Sequence, residues 1–301
     1  VKYKEEIRIN IHRLKDTGYT SRQIAKILNV SKSGVNEELN RNKKHLPKIM
    51  FFDIETAPSI AATFKRWNTN ITPDSVIEEG GWMICASWKF SDENKVHSSL
   101  IGPYEATIRS DWNVVDDLRN AYNKADILVA HNGDKFDVPL FKTRNMVNMF
   151  PPVRKIPTID TLKLARKLKF ESNKLDSLGH YLGLGRKLTT GGIKLWLDCM
   201  NGNEKALNKM KDYNVQDVLL LESVYYALLP YVDSGNVGVY FDDGKHHCPS
   251  CGSDIIKPTG KTIKNYAYEY TEYKCDICGH YSSARTASKK DNTKYQLKSS
   301  V

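Results

Sequence analysis

Asp53 and Glu55 close a run of β-prone residues, Lys48-Ile-Met-Phe-Phe-Asp-Ile-Glu-Thr56, with a single apolar residue between them. Side chains alternate across a strand, so the two carboxylates share a face while Ile54 turns into the core. Adjacent carboxylates repel and resist joint ionisation unless a cation sits between them. Oxygen ligands of this kind suit Mg²⁺ or Mn²⁺ rather than zinc. The same pattern also fits a strand that ends in two solvated acids. A second metal chemistry is carried by Cys248-Pro-Ser-Cys251 and Cys275-Asp-Ile-Cys278, 23 residues apart, each pair followed directly by glycine. Two CxxC pairs at this spacing supply four thiolates to one structural Zn²⁺, as in a zinc ribbon. The rival reading is a redox pair, but no thioredoxin-like βαβ pattern surrounds either one. His246, His247 and His280 are spare donors beside the four cysteines, and Tyr266, Tyr268 and Tyr270 alternate along a strand between them.

Other chemistry-bearing residues depend on the elements that position them. His131-Asn-Gly-Asp-Lys-Phe-Asp137 follows the short apolar run Ile127–Ala130, which puts Asp137 just beyond a strand, on the first turn of a helix. Tyr213 and Asp217 are four apart on a helix expected over roughly 204–229, interrupted or bent near its start, so they share a face. Val218, Leu221, Val224 and Leu228 form its packing stripe. A buried hydrogen-bonded tyrosine–acid pair is the plain alternative. Further strands are expected over 82–90 and 96–101, with helices over 112–124, 159–166 and 174–183. Asp160 suits a helix cap or a support behind the acidic site. In the connection 57–80, Phe64-Lys-Arg-Trp67 reads either as a stacking and phosphate surface for a terminal nucleotide or as a packing face. Cys85 and Cys199, in apolar surroundings, read as core residues.

These residues carry a resemblance. Asp53-Ile-Glu55 resembles the first motif of the DEDDy 3′–5′ exonucleases, whose RNase H-like fold is used in polymerase proofreading. Asn132-x-x-x-Phe136-Asp137 resembles the second motif and Tyr213-x-x-x-Asp217 the third, in the same order and on the expected elements. Asp160-Thr-Leu and the segment Lys174–Gly183 resemble the bacterial and phage branch that stands apart from polymerases. The match spans residues 48–232. It implies that Asp53, Glu55, Asp137 and Asp217 hold two Mg²⁺ or Mn²⁺ ions, one preparing the attacking hydroxide and one stabilising the departing 3′ oxygen. It further implies that Tyr213 orients the attacking water, that Asn132 and Phe136 place the last nucleotide, and that the product is a nucleoside 5′-monophosphate.

The net charge of +10 is uneven, with +7 on residues 1–48, +1 on 49–232 and +2 on 233–301. A basic lobe on a nearly neutral body points to a polyanionic partner, most simply nucleic acid, although solvated surface lysines give the same count. Within that lobe Ile7, Ile11 and Leu14 have helical spacing over 4–16, and Thr20 with Gln23 forms a capping box. Ile24, Ala25, Ile27 and Leu28 make a short stripe, Asn29-Val30 a turn, and Ser31 a cap for a third helix with Val35 and Leu39 inward. The stretch Tyr19–Asn36 resembles the helix-turn-helix of resolvases and small phage regulators. By that resemblance Ser31, Lys32, Ser33 and Asn36 face the major groove. A three-helix module that docks on protein is the alternative. Residues 40–48, polar and basic, read as a linker.

At 301 residues and 40% hydrophobic content the chain exceeds one average domain. The expected architecture is α/β: a helix-turn-helix over 1–46, an RNase H-like mixed sheet flanked by helices over 47–232, a β zinc ribbon over 233–284, and a loose tail over 285–301. No apolar run is long enough to span a membrane, and the first residues lack a secretory apolar segment, so no membrane partner and a cytoplasmic place are expected. The expected activity is 3′–5′ removal of nucleotides from single-stranded DNA. An RNA exonuclease or structure-directed nuclease is the enzymatic alternative, and a sequence-specific DNA-binding regulator is the non-enzymatic one.

Overall fold

The computed structural model describes residues 7, 10, 11, 14, 15, 19–41, 47–65, 67, 69–241, 243–264, 268–285 and 298–299. The expected helix over 4–16, the linker over 40–48, Arg66, Tyr266 and the tail over 285–301 lie wholly or partly outside them.

The described helices of the amino-terminal lobe include α1 (Ser21–Ile27) and α2 (Lys32–Arg41). α1 starts at Thr20 because its hydroxyl accepts from the Gln23 N–H while Gln23 Oε1 accepts from the Thr20 N–H. Such a reciprocal cap contributes about 1 kcal/mol. Asn29 takes a left-handed φ of 50°, and Ser31 Oγ then accepts from the Gly34 N–H at 3.0 Å to open α2. Ile24, Ala25 and Val35 close a small core with Ile11. Ile27, expected in that stripe, is exposed, whereas Leu28 and Val30 pack against the core.

The central sheet comprises β1 (Ile49–Thr56), β2 (Met83–Phe90), β3 (His97–Leu100), β4 (Ile127–Ala130) and β5 (Thr158–Asp160). Their order is β3-β2-β1-β4-β5, antiparallel on the β2 side of β1 and parallel on the β4 side. The sheet is therefore mixed, as expected. β5 was expected to be part of a helix. Three residues are too few to show a period, and their pairing with Leu128–Ala130 decides the matter.

Both faces of β1 are covered, by different helices. Met50, Phe52 and Ile54 join a core with Leu118 and Tyr122 of α3 (Trp112–Tyr122) and Phe141 of α4 (Asp137–Val147). Ile49 and Phe51 on the other face join Val218, Leu221, Val224 and Tyr225. Between α4 and the last helix lie α5 (Thr161–Ala165), α6 (Leu175–Tyr181) and α7 (Lys194–Met200). That last helix, α8, runs unbroken from Glu204 to Leu228. The interruption expected near its start falls just before it instead: Gly202 reverses the chain at φ 73°, and Asn203 Oδ1 caps α8 by accepting from the Ala206 N–H.

The carboxy-terminal region is an antiparallel sheet of β6 (Ile256–Lys264), β7 (Glu269–Cys275) and β8 (Tyr281–Arg285), with Lys298–Ser299 paired to β8. The cysteine pairs are thus joined by two strands; of the tyrosines expected along a strand, Tyr270 lies on β7 and Tyr268 just before it. This sheet meets the central body at the end of α8, where the Ser250 hydroxyl donates to the Leu229 carbonyl and the Val237 N–H to that of Pro249.

Candidate active site and metal centre

β1 and α8 share an interface that changes character along its length. It begins apolar, with Phe51 edge-on to Tyr225 at 5.4 Å between ring centroids. Two residues on, the same face of β1 presents Asp53 and then Glu55, and α8 answers with Asp217, Asn214 and Tyr213. Ligand oxygens of Asp53, Glu55 and Asp217 lie within 4.8 Å of one another. Asp137 enters from the first turn of α4, where its Oδ1 accepts from the Ile54 N–H at 3.2 Å. It thus stands beside β1, at the strand edge where the Ile54 N–H points, outside the trio that is within mutual reach yet close enough to act on Asp53 electrostatically.

The charges are strongly coupled. Burial raises Asp53 well above the usual carboxylate range, and Asp137, Glu55 and Asp217 add to it, against the opposing pull of Lys187. Glu55 is raised to about 7 by burial and by Asp217, opposed by Lys187 and by a hydrogen bond from Trp196. Asp137 is raised to about 7 by burial, although its own N–H and that of Ile54 pull the other way. Asp217 is raised by burial and restrained by Lys187.

Two partners of this cluster were not foreseen. Asn214 Nδ2 donates to Asp53 Oδ2 at 2.6 Å. Lys187 Nζ bonds Asp217 Oδ2 and lies 3.2 Å from the Tyr213 hydroxyl, to which it donates. Burial alone would lower its pKa, but Asp217 and Asp53 more than reverse that. Lys187 reaches the site on an irregular segment after α6, where Gly185 at φ 120° takes a conformation open to glycine and closed to most residues. Asn214 had a signal, being next to Tyr213 on the helix face that meets β1. Lys187 had none, since no period or cap governs its segment.

The donor set fits divalent ions. It is all oxygen, and Asp217 Oδ1 is buried without a hydrogen-bond partner among the described residues, so it has a lone pair free for a cation. The raised carboxyls set a pH dependence whose sign is opposite to that of a salt-bridged acid. Glu55 and Asp137 hold protons in the folded chain from about pH 4 up to pH 7, where the unfolded chain has lost them. Stability without divalent ions therefore falls as pH rises through that window. In chelator, wild-type Tm should drop more than that of Glu55→Gln between about pH 5 and 7.5. Added Mn²⁺ should raise Tm more at the higher pH, because the ion must displace those protons. Parallel Tm curves for the two proteins would refute the coupling.

Asp160 caps α5 by accepting from the Leu162 N–H and also accepts from the Asn132 N–H, at 3.0 and 2.9 Å. It thereby fixes the left-handed turn at Asn132, φ 68°. Phe136 is exposed at the start of α4. Ser31, Lys32 and Ser33 are exposed at the start of α2, and Asn36 is half-buried.

Cys248, Cys251, Cys275 and Cys278 form the second cluster. Their sulfurs lie 3.7 Å apart in the pairs Cys248–Cys278 and Cys251–Cys275, too far for a disulfide bond. A tetrahedron with Zn–S bonds of 2.3 Å has edges of about 3.8 Å, so the cluster has the dimensions a zinc ion requires. Hydrogen bonds from Cys251 and Cys278 draw the Cys248 thiol far down and are themselves matched by a rise at those two thiols, so the sulfurs share protons among themselves. His247 is engaged elsewhere, with Gly252 O and Asp243.

Residues 84–229 match the family model of the RNase_H superfamily, so the chain carries an RNase H-like domain. No curated protein sequence matches the chain. Among solved structures, the family B DNA polymerase from the hyperthermophilic archaeon Pyrobaculum calidifontis is similar to it with a TM-score of 0.43 and 14% identity. That similarity covers 74% of this chain and 32% of the polymerase, about a third of its length.

Proposed function

We propose that this RNase H-like protein is a DEDDy-type 3′–5′ exonuclease that releases nucleoside 5′-monophosphates from single-stranded DNA. The observation that carries the reading is the convergence of Asp53, Glu55 and Asp217 within 4.8 Å, with a buried carboxylate oxygen left unpartnered. These three, with Asp137 beside β1, would hold two Mg²⁺ or Mn²⁺ ions. Bound there, the ions would supply the Lewis acidity that activates water and stabilises the departing 3′ oxygen.

The chain's own groups do the positioning. Asn214 orients Asp53, and Trp196 orients Glu55. Burial pushes the Tyr213 phenol up to about 12, with Asp217 adding to it, so at neutral pH it keeps its proton and serves to orient water, not as a base. Tyr213→Phe should lower kcat about tenfold to a hundredfold, with Mn²⁺ affinity by titration calorimetry held within about twofold. A large loss of affinity would instead make the tyrosine part of the metal cage. Asn132 and Phe136 would place the last nucleotide.

Two modules would flank this domain: a helix-turn-helix over 1–46 and a zinc ribbon over 233–284, both serving to hold nucleic acid. The first carries most of the excess charge, so long-range attraction to phosphate must come mainly from it. Deleting 1–46 should weaken binding of long DNA and flatten its salt dependence, while kcat on a short saturating strand holds. Unchanged binding and salt slope would favour a protein-docking role for the lobe.

The experiment that tests the whole reading uses 5′-labelled single- and double-stranded DNA and RNA, with Mg²⁺, Mn²⁺ or chelator. The expected result is a metal-dependent ladder shortening from the 3′ end, strongest on single-stranded DNA. A ladder on RNA alone would change the substrate. Saturable binding to one DNA sequence with no degradation would replace the enzyme with a regulator.

A further inference from the structure

Directly beside the carboxylate cluster lies a cavity of about 670 Å³, a size suited to one nucleotide. Lys187 belongs to both: its ammonium bonds Asp217 while its side chain lines the cavity. Arg166, at the end of α5, and Lys174, just before α6, bring two further cations to the same wall. Both are exposed, and neither side chain makes an ion pair or hydrogen bond among the described residues. The one carboxylate in the lining, Asp176, is engaged through Oδ1 by the Lys187 N–H at 2.8 Å. His131 adds no charge, since burial lowers its pKa. The cavity is therefore cationic at its rim, although the domain around it is nearly neutral.

Its floor is of another kind. Leu162 and Leu175 offer apolar surface, and Asn132 lines the cavity beside them. Asn173 lines it as well. Apolar surface suits a base or a sugar, and the rim suits a phosphate.

We infer that this cavity is a subsite for a nucleoside phosphate, with Arg166 and Lys174 holding the phosphate and the Leu162–Leu175 floor taking the nucleoside. The inference deepens the exonuclease reading and rests on it only for the source of the ligand. That source is either the strand just upstream of the scissile bond or the released mononucleotide.

The full chain, in chelator, is titrated with dAMP, with the trinucleotide dT3 and with inorganic phosphate, before and after Arg166→Ala with Lys174→Ala. The expected result is a tenfold or greater loss of nucleotide affinity in the double variant. The salt slope for dT3 should also fall by about 0.7 for each phosphate contact removed. Loss confined to dT3 identifies the strand, and equal loss for dAMP identifies the product. Unchanged affinity and slope, or inorganic phosphate binding as tightly as either nucleotide, would overturn the subsite. Metal-dependent degradation measured alongside keeps the two readings separate. Strand degradation with a KM indifferent to Arg166 and Lys174 rejects only the subsite. Nucleotide binding that depends on them, in a protein that degrades nothing, rejects only the exonuclease.

Discussion

Asp217→Asn is expected to lower nucleotide release at least about a thousandfold, equivalent to about 4 kcal/mol of lost transition-state stabilisation. Asp217 sits at the middle of α8, fully buried, with one oxygen on Lys187 and the other unpartnered among the described residues. An amide keeps the shape of the side chain but gives up the negative charge that balances a divalent ion. The fold should survive, because the carboxylate is buried at a cost: its pKa is raised and its neighbours repel it. Tm in chelator should stay near that of wild type, because relief from the neighbouring acids offsets the lost ion pair with Lys187. Single-turnover hydrolysis of a 5′-labelled strand, with circular dichroism alongside, checks both halves. A rate near that of wild type in Asp217→Asn, or in Asp217→Ala, would remove this residue from the chemistry.

The second large effect concerns the cysteines. Cys275→Ser should unfold the carboxy-terminal sheet, because bound zinc stabilises small domains of this kind by about 10 kcal/mol or more. Cys248 and Cys275 are buried, and few large apolar side chains around them could hold β6, β7 and β8 together without the ion. The damage should reach the last turn of α8 through the Ser250–Leu229 hydrogen bond and stop short of Asp217, three turns earlier. Elemental analysis should find one zinc per wild-type chain. Amide exchange should rise over 248–285 in the variant, DNA binding should weaken, and hydrolysis of a short strand at saturation should continue. A chain that holds no zinc, or whose cysteines cycle as disulfides, would end the assignment.

How far the molecule could be read from its residues depended on whether a regular period governed each part. Asp53 and Glu55 were placed on one face by strand alternation, and Tyr213 and Asp217 by helical spacing. Both relations are local and survive into the fold. The two CxxC pairs were legible for the same reason. The strand Thr158–Asp160 was not, because a short parallel strand is defined by its neighbour rather than by itself. Asp137 was assigned to the first turn of α4, where it lies, but the Ile54 N–H that holds its carboxylate 83 residues away leaves no trace in either segment. Lys187 is the extreme case. Its position follows from a glycine-bearing reversal after α6 and from the charge it meets on α8, neither of which a pattern of apolar residues encodes.

Lys187 also separates the two ion sites in the life of the protein. Asp217 receives a positive charge from within its own chain, whereas the cysteine sulfurs lean on one another. A newly made chain can thus complete its RNase H-like domain whatever the supply of divalent ions, and acquire them afterwards. The carboxy-terminal sheet has no such substitute and, if its four cysteines hold zinc as proposed, would capture the ion during its own folding. In a culture, then, zinc starvation should cost yield of intact protein, read as proteolysed chains ending near residue 233. Manganese or magnesium starvation should leave the yield alone and cost only turnover. Equal yields under zinc starvation and repletion would show that the two sites do not differ in this way.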